Sequence, residues 1–313
     1  MASDGESPKG VNEAVNKAFA AALAGGVVDT AVGVPKSREE MFAFYEFIRR
    51  GTHDSQSKEG SGGLEFPAGY MFKEAPKWEA DDMTDPVDML CAELEAVGIH
   101  HAIVNVDDEA AAEAVRQHPG RFSAQINVDP NEGMDAVRRI VRFNDEFDLK
   151  AVGAFPAGLT PQVPLNDKKF YPIYAKCVEL GIPFCSTVGV PGPRIPFGVQ
   201  DVALIDEICW FFPELTFVMR HGAEPWADLA VKLMLKWPNL YYSTTAFAPK
   251  YYPREIIDYA NTRGADKIIW SGYFPAGLSY QRIFSELPDV PFRDHVWPKF
   301  LRENAARVFN LDI

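Results

Sequence analysis

The sequence predicts an α/β fold: a (β/α)8 TIM barrel with a long insertion after strand one and a closing C-terminal helix. Short runs rich in Val, Ile and Phe alternate with helical runs, the pattern of repeated βα units around a parallel sheet. Eight such runs can be placed along the chain. A length of 313 residues suits one barrel with additions.

In chain order, residues 14–25 (AVNKAFAAALAG) read as a helix feeding the first strand, so 1–25 is taken as an N-terminal helical segment and 26–313 as the barrel domain. Strands are expected at Val27–Thr30, His101–Val106, Phe122–Asn127, Ala151–Phe155, Pro183–Thr187, Leu215–Arg220, Leu240–Ser243 and Lys267–Trp270. The punctuation between them agrees. Gly98 ends a helix over Pro86–Val97, Asp108 and Asp129-Pro130 mark helix starts, and Gly181 closes Lys168–Leu180. The insertion, about 31–99, is expected to fold over the barrel mouth, and its Gly/Ser-rich stretch 51–63 reads as a mobile loop. At the end, Arg293–Val308 places Trp297, Phe300, Leu301 and Val308 on one helical face.

The net charge of −13 argues against nucleic acid as a partner, since phosphate binding needs clustered Lys and Arg. No apolar run approaches the roughly 20 residues that cross a bilayer, so no membrane span is expected. The first residues lack the basic start and apolar core of a secretory signal. Cys91, Cys177, Cys185 and Cys209 form no CxxC pair and read as buried thiols in a reducing compartment, which places the chain in the cytoplasm.

Barrels of this kind carry their chemistry at the C-terminal strand ends. Those ends read Asp29-Thr30-Ala31-Val32-Gly33, Phe155-Pro156, Ser186-Thr187-Val188-Gly189, Arg220-His221-Gly222-Ala223-Glu224 and Ser271-Gly272-Tyr273-Phe274-Pro275. Together with the runs YPIYAKCVELGIPFCSTVG, FPELTFVMRHGAEPW, KWPNLYYSTT, GADKIIWSGYFP and ENAARVFNL, these resemble the amidohydrolase-related family over about residues 26–311. That family includes aminocarboxymuconate-semialdehyde decarboxylase and aromatic-acid decarboxylases of the resorcylate type. The resemblance implies a small-molecule substrate, a homodimer, and one divalent metal. Its ligands would be two His from a strand-one D-x-H-x-H pattern, a His after strand five and an Asp after strand eight, with a further His after strand six as acid/base. Matched residue by residue, Ala31 and Gly33 stand in the first two seats, Thr187 in the third and Tyr273 in the fourth; only His221 remains. Ala and Gly have no donor atoms, and a hydroxyl or phenol is a poor ligand beside imidazole or carboxylate. The expectation is therefore a barrel with no catalytic metal and no cofactor.

His221, Tyr273 and Asp29 are the candidate catalytic residues: an acid/base, a hydrogen-bond donor, and a carboxylate that serves either the site or the nearby backbone. Arg194 and Arg220 are candidate anchors for a substrate carboxylate, because a guanidinium holds one bidentately. Arg220 directly precedes His221, so strand alternation would turn one of the two away from the lumen. Thr187, Ser271 and Glu224 offer polar contacts, Glu224 also as a partner for His221. Phe155 and Trp226 are candidate walls of an apolar pocket. A nucleophilic Cys185 lacks a base in its neighbourhood of sequence.

The expected function is an enzyme acting without metal on a small cyclic or aromatic carboxylate, ester or lactone, by decarboxylation, hydrolysis or proton transfer. The alternative is a non-catalytic ligand-binding or partner subunit that kept the barrel. An open polar mouth favours the first reading, and a mouth packed shut by Tyr273, Phe274 and Phe155 favours the second.

Overall fold

Eight parallel strands lie side by side in chain order, β1 to β8, each leading into helical structure on the outside. The structure is a computed structural model; it describes residues 9–61, 66–71 and 85–313, with side chains from Lys17 onward. The strands are β1 (Val27–Val32), β2 (Ile99–Asn105), β3 (Phe122–Asn127), β4 (Ala151–Ala154), β5 (Phe184–Thr187), β6 (Phe217–Arg220), β7 (Leu240–Ser243) and β8 (Ile268–Ile269). This is the TIM barrel that the alternation of apolar and helical runs predicts.

Every residue of β1, β4, β6 and β7 is buried, as a parallel strand covered by helices outside and by packed side chains inside must be. Ladder pairs run from β1–β2 through β7–β8. Among the described residues no ladder pair joins β8 back to β1. That seam is bridged by one backbone bond, Gly33 N–H to the Phe274 carbonyl (2.7 Å), and by the side chain of Asp29.

The Asp29 carboxylate is fully buried and accepts four hydrogen bonds. One oxygen takes the Ser271 hydroxyl (2.5 Å) and the Ala31 N–H (3.1 Å). The other takes the Gly272 N–H and the Tyr280 hydroxyl, both at 3.0 Å. A short strand eight is thus held to strand one through a side chain. Gly272 is required there, because a Cβ would stand 2.9 Å from the Asp29 carboxylate and 2.7 Å from the Tyr280 ring.

The N-terminal helix α1 (Lys9–Ala24) packs on the C-terminal helical stretch, with Phe19 meeting Trp297 edge to face at 5.0 Å. The insertion after β1 folds into α2 (Arg38–Phe44), α3 (Glu46–Gly51) and α4 (Ser55–Glu59) before α5 (Pro86–Ala96) leads into β2. The stretch expected to be a mobile loop therefore contains a helix. Asp54 caps it through the Ser57 N–H (2.9 Å), and Gly60 ends it in the left-handed conformation at φ 63°. Residues 62 and 63 of that stretch lie outside the described residues. Ser37 and Glu40 form a reciprocal capping box at the start of α2.

Met41, Tyr45 and Ile48 on α2 and α3, with Phe66 and Ala68, make a small apolar cluster against Phe155 and Ala276 at the ends of β4 and β8. The described part of the insertion thus packs against the residues that follow β4 and β8. The final helical stretch expected at Arg293–Val308 runs from Val296 to Val308, its middle turn widened to a π-helix over Lys299–Glu303. No helix among the described residues is long and apolar enough to cross a membrane.

Candidate active site

Strand β6 ends on Arg220, whose side chain is 7% exposed and points into the barrel. One terminal nitrogen donates to the Thr30 carbonyl and to Gln125 Oε1, each at 2.9 Å. The guanidinium is thereby tied to β1 and β3. Its Nε is buried with no partner, and no carboxylate pairs with the group among the described residues. A buried cation without a counter-charge is costly, and an anion at its open face relieves that cost.

His221 follows immediately. Its backbone is left-handed (φ 65°), which breaks the strand alternation that would otherwise turn it away from Arg220. The imidazole instead meets the Tyr273 ring edge to face, with centroids 4.6 Å apart. Tyr273 is itself left-handed at φ 62°. Backbone strain of this kind costs free energy and gathers at functional sites. Burial and the neighbouring Arg220 charge push the His221 pKa down to about 3, so the ring is neutral. Burial raises the Tyr273 phenol above its usual value, with Arg220 pulling partly the other way, and it stays protonated. Neither side chain has a hydrogen-bond partner among the described residues. Both keep partial exposure, as do Thr187 and Phe155, so the mouth is a recess rather than a closed core.

The other candidates fall in two groups. Thr187, beside Arg220 in the β5–β6 register, and Phe155 lie at the mouth. Ser271 and Asp29 lie just beneath it, joined to each other, so their polar atoms serve the barrel seam. Arg194, Glu224 and Trp226 are elsewhere. Arg194 is surface-exposed, pairs with Asp54 (2.9 Å) and lies over Tyr70, tying the insertion to the loop after β5. Glu224 is exposed, and Trp226 packs on Phe197 at 5.5 Å. Cys185 is buried, and burial raises its thiol pKa, which disfavours the thiolate.

Two residues at the mouth escaped the sequence reading. Gln125, the buried amide of the strand FSAQIN, orients Arg220, and a polar residue between Ala124 and Ile126 was the available signal. Tyr45 arrives from the insertion, in the apolar cluster that packs against Phe155. Nothing in the run FAFYEF distinguishes it from packing residues.

Comparison with solved structures places the chain among barrels of the same shape. An uncharacterized TIM-barrel protein from Bordetella bronchiseptica superposes with TM-score 0.69 at 19% identity, covering 91% of this chain and 99% of that one. A 5-carboxyvanillate decarboxylase from Novosphingobium aromaticivorans, a D314N mutant with bound manganese and 3-methoxy-4-hydroxy-5-nitrobenzoic acid, gives 0.64 at 17% identity over 91% and 97%. A dihydroxybenzoic acid decarboxylase from Polaromonas, with manganese and the inhibitor 2-nitroresorcinol, gives 0.60 at 15% over 92% and 98%. At these identities the likeness shows the fold. No curated protein matches the sequence.

The manganese in two of these structures corrects the expectation of a barrel without a cofactor: neighbours of this shape carry a metal. The donor set described here does not by itself fit one. No three His, Cys, Asp or Glu side chains converge among the described residues, and both Asp29 oxygens are committed to hydrogen bonds. The Amidohydrolase family model matches residues 61–311, four-fifths of the sequence, and the chain belongs to that family.

Proposed function

We propose that the barrel mouth binds a small aromatic or cyclic carboxylate and that the chain is a lyase or hydrolase acting on it, with decarboxylation as the leading reaction. The observation that carries this is Arg220: a buried guanidinium, held at the C-terminal end of the barrel by Gln125 and Thr30, with no acid of its own. A ligand carboxylate at its open face makes charge-assisted hydrogen bonds in a site sheltered from water. Tyr273, kept protonated, donates to a second ligand oxygen or to charge that develops on it. His221, neutral and in contact with Tyr273, relays a proton from water to the carbon that carbon dioxide vacates, so one proton is taken up for each carbon dioxide released. The bound molecules of the neighbours, a nitrobenzoic acid and a nitroresorcinol, support an aromatic ligand.

The test is incubation with hydroxylated benzoates in manganese-containing buffer, reading carbon dioxide release and product mass. Turnover that falls at least a hundredfold in His221→Asn supports the reading; wild-type turnover that His221→Asn leaves unchanged overturns the assigned mechanism. A second reading, ligand binding without catalysis, is favoured by one observation: an imidazole held near 3 is a weak base at neutral pH. Carboxylate binding with no product from any substrate selects it.

A further inference from the structure

We infer that the Thr30 hydroxyl is a second anchor for the ligand carboxylate, donating to an oxygen that the Arg220 guanidinium also holds. This rests on the carboxylate reading of Arg220 given above. The ladder between β1 and β2 slips between Asp29 and Val32, where three steps along β1 match two along β2. A bulge of this kind turns backbone and side chain away from their regular directions. Within the slip, the Thr30 carbonyl accepts from the Arg220 guanidinium at 2.9 Å, although the two residues are 190 apart in sequence. Covalent geometry keeps a threonine hydroxyl within about 5 Å of its own carbonyl oxygen, so the Thr30 side chain stands beside the guanidinium.

Thr30 is fully buried, and its Oγ1 has no hydrogen-bond partner among the described residues. The Nε of Arg220 is in the same condition. A buried hydroxyl left without a partner is disfavoured, and a valine would fill the same shape without that cost. Both groups can donate, and one belongs to a fixed cation. What satisfies the two together is an oxygen with lone pairs and no proton, as in a carboxylate. A ligand oxygen shared by Arg220 and Thr30 sets the carboxylate innermost, with the rest of the molecule toward His221 and Tyr273.

Calorimetric titration of benzoate into wild type, Thr30→Val, Thr30→Ser and Arg220→Met, with melting midpoints of the ligand-free proteins, tests this. Thr30→Val is expected to weaken benzoate about tenfold and Thr30→Ser to stay within twofold of wild type. Ligand-free Thr30→Val is expected to melt no lower than wild type, because it deletes a hydroxyl that has no partner there. Benzoate affinity unchanged in Thr30→Val, a loss in Thr30→Ser as large as in Thr30→Val, or a lowered Thr30→Val midpoint overturns the assignment of Thr30 while leaving Arg220 in place. Binding by Arg220→Met as tight as by wild type, or no binding by wild type, overturns the carboxylate reading and this inference with it.

Discussion

His221 and Tyr273 meet ring edge to ring face at 4.6 Å, each on a left-handed backbone. Neither conformation is comfortable for a side chain with a Cβ. Both are imposed at the ends of barrel strands, where the chain must turn out of the sheet at once. The contact sets the imidazole and the phenol beside the buried Arg220 charge, which shifts the titration of both.

Replacing His221 by Asn separates its charge from its backbone. Asn tolerates the left-handed region, so the turn survives. The wild-type imidazole has its pKa lowered from 6.5 to about 3 on folding. The unfolded chain therefore takes up the proton first, so this group's stabilisation is full above 6.5 and falls as the pH drops toward 3. The expected outcome, read by urea unfolding at pH 7 and pH 5, is that wild type loses about 1–2 kcal/mol more than His221→Asn over that interval. Identical losses contradict an imidazole held neutral at the barrel mouth.

Asp29 accepts one backbone N–H and one hydroxyl on each oxygen. A hydroxyl can rotate to accept instead, but a backbone N–H cannot. In Asp29→Asn, either orientation of the amide sets its NH2 against the Ala31 or the Gly272 N–H. The substitution is expected to cost about 2–3 kcal/mol of unfolding free energy, although it adds no volume. Tyr280→Phe, which removes one donor, is expected to cost about 1 kcal/mol. Asp29→Asn as stable as wild type in denaturant titration contradicts its role at the barrel seam.

Gln125→Leu is the complementary probe. It removes the amide oxygen that orients the Arg220 guanidinium and leaves the charge in place. Affinity for a carboxylate is expected to fall about fivefold to tenfold, less than for loss of Arg220 itself, as measured by the same titrations.

How much of this was legible in the sequence follows from the range of the forces involved. Strands β3 and β7 match their expected bounds, because short apolar runs between turn residues are local signals. Strand β8 shrinks to Ile268–Ile269, since its link to β1 runs through Asp29, a contact between residues 242 apart in sequence. Alternation predicted that Arg220 and His221 face opposite ways, and a positive φ at the second residue defeated it. Arg194 looked the freer anchor, but its charge is taken up by Asp54 in the insertion, a pairing no local pattern announces. The count of metal ligands was read from single positions, and the manganese of the neighbouring barrels overturned the conclusion drawn from it.

The most direct measurement is calorimetric titration of benzoate against benzamide, which has nearly the same shape but no charge. If Arg220 awaits a carboxylate, wild type binds benzoate at least thirtyfold more tightly than benzamide, and Arg220→Met abolishes the difference. Equal affinity for the two in wild type, or a preference that persists in Arg220→Met, contradicts the account.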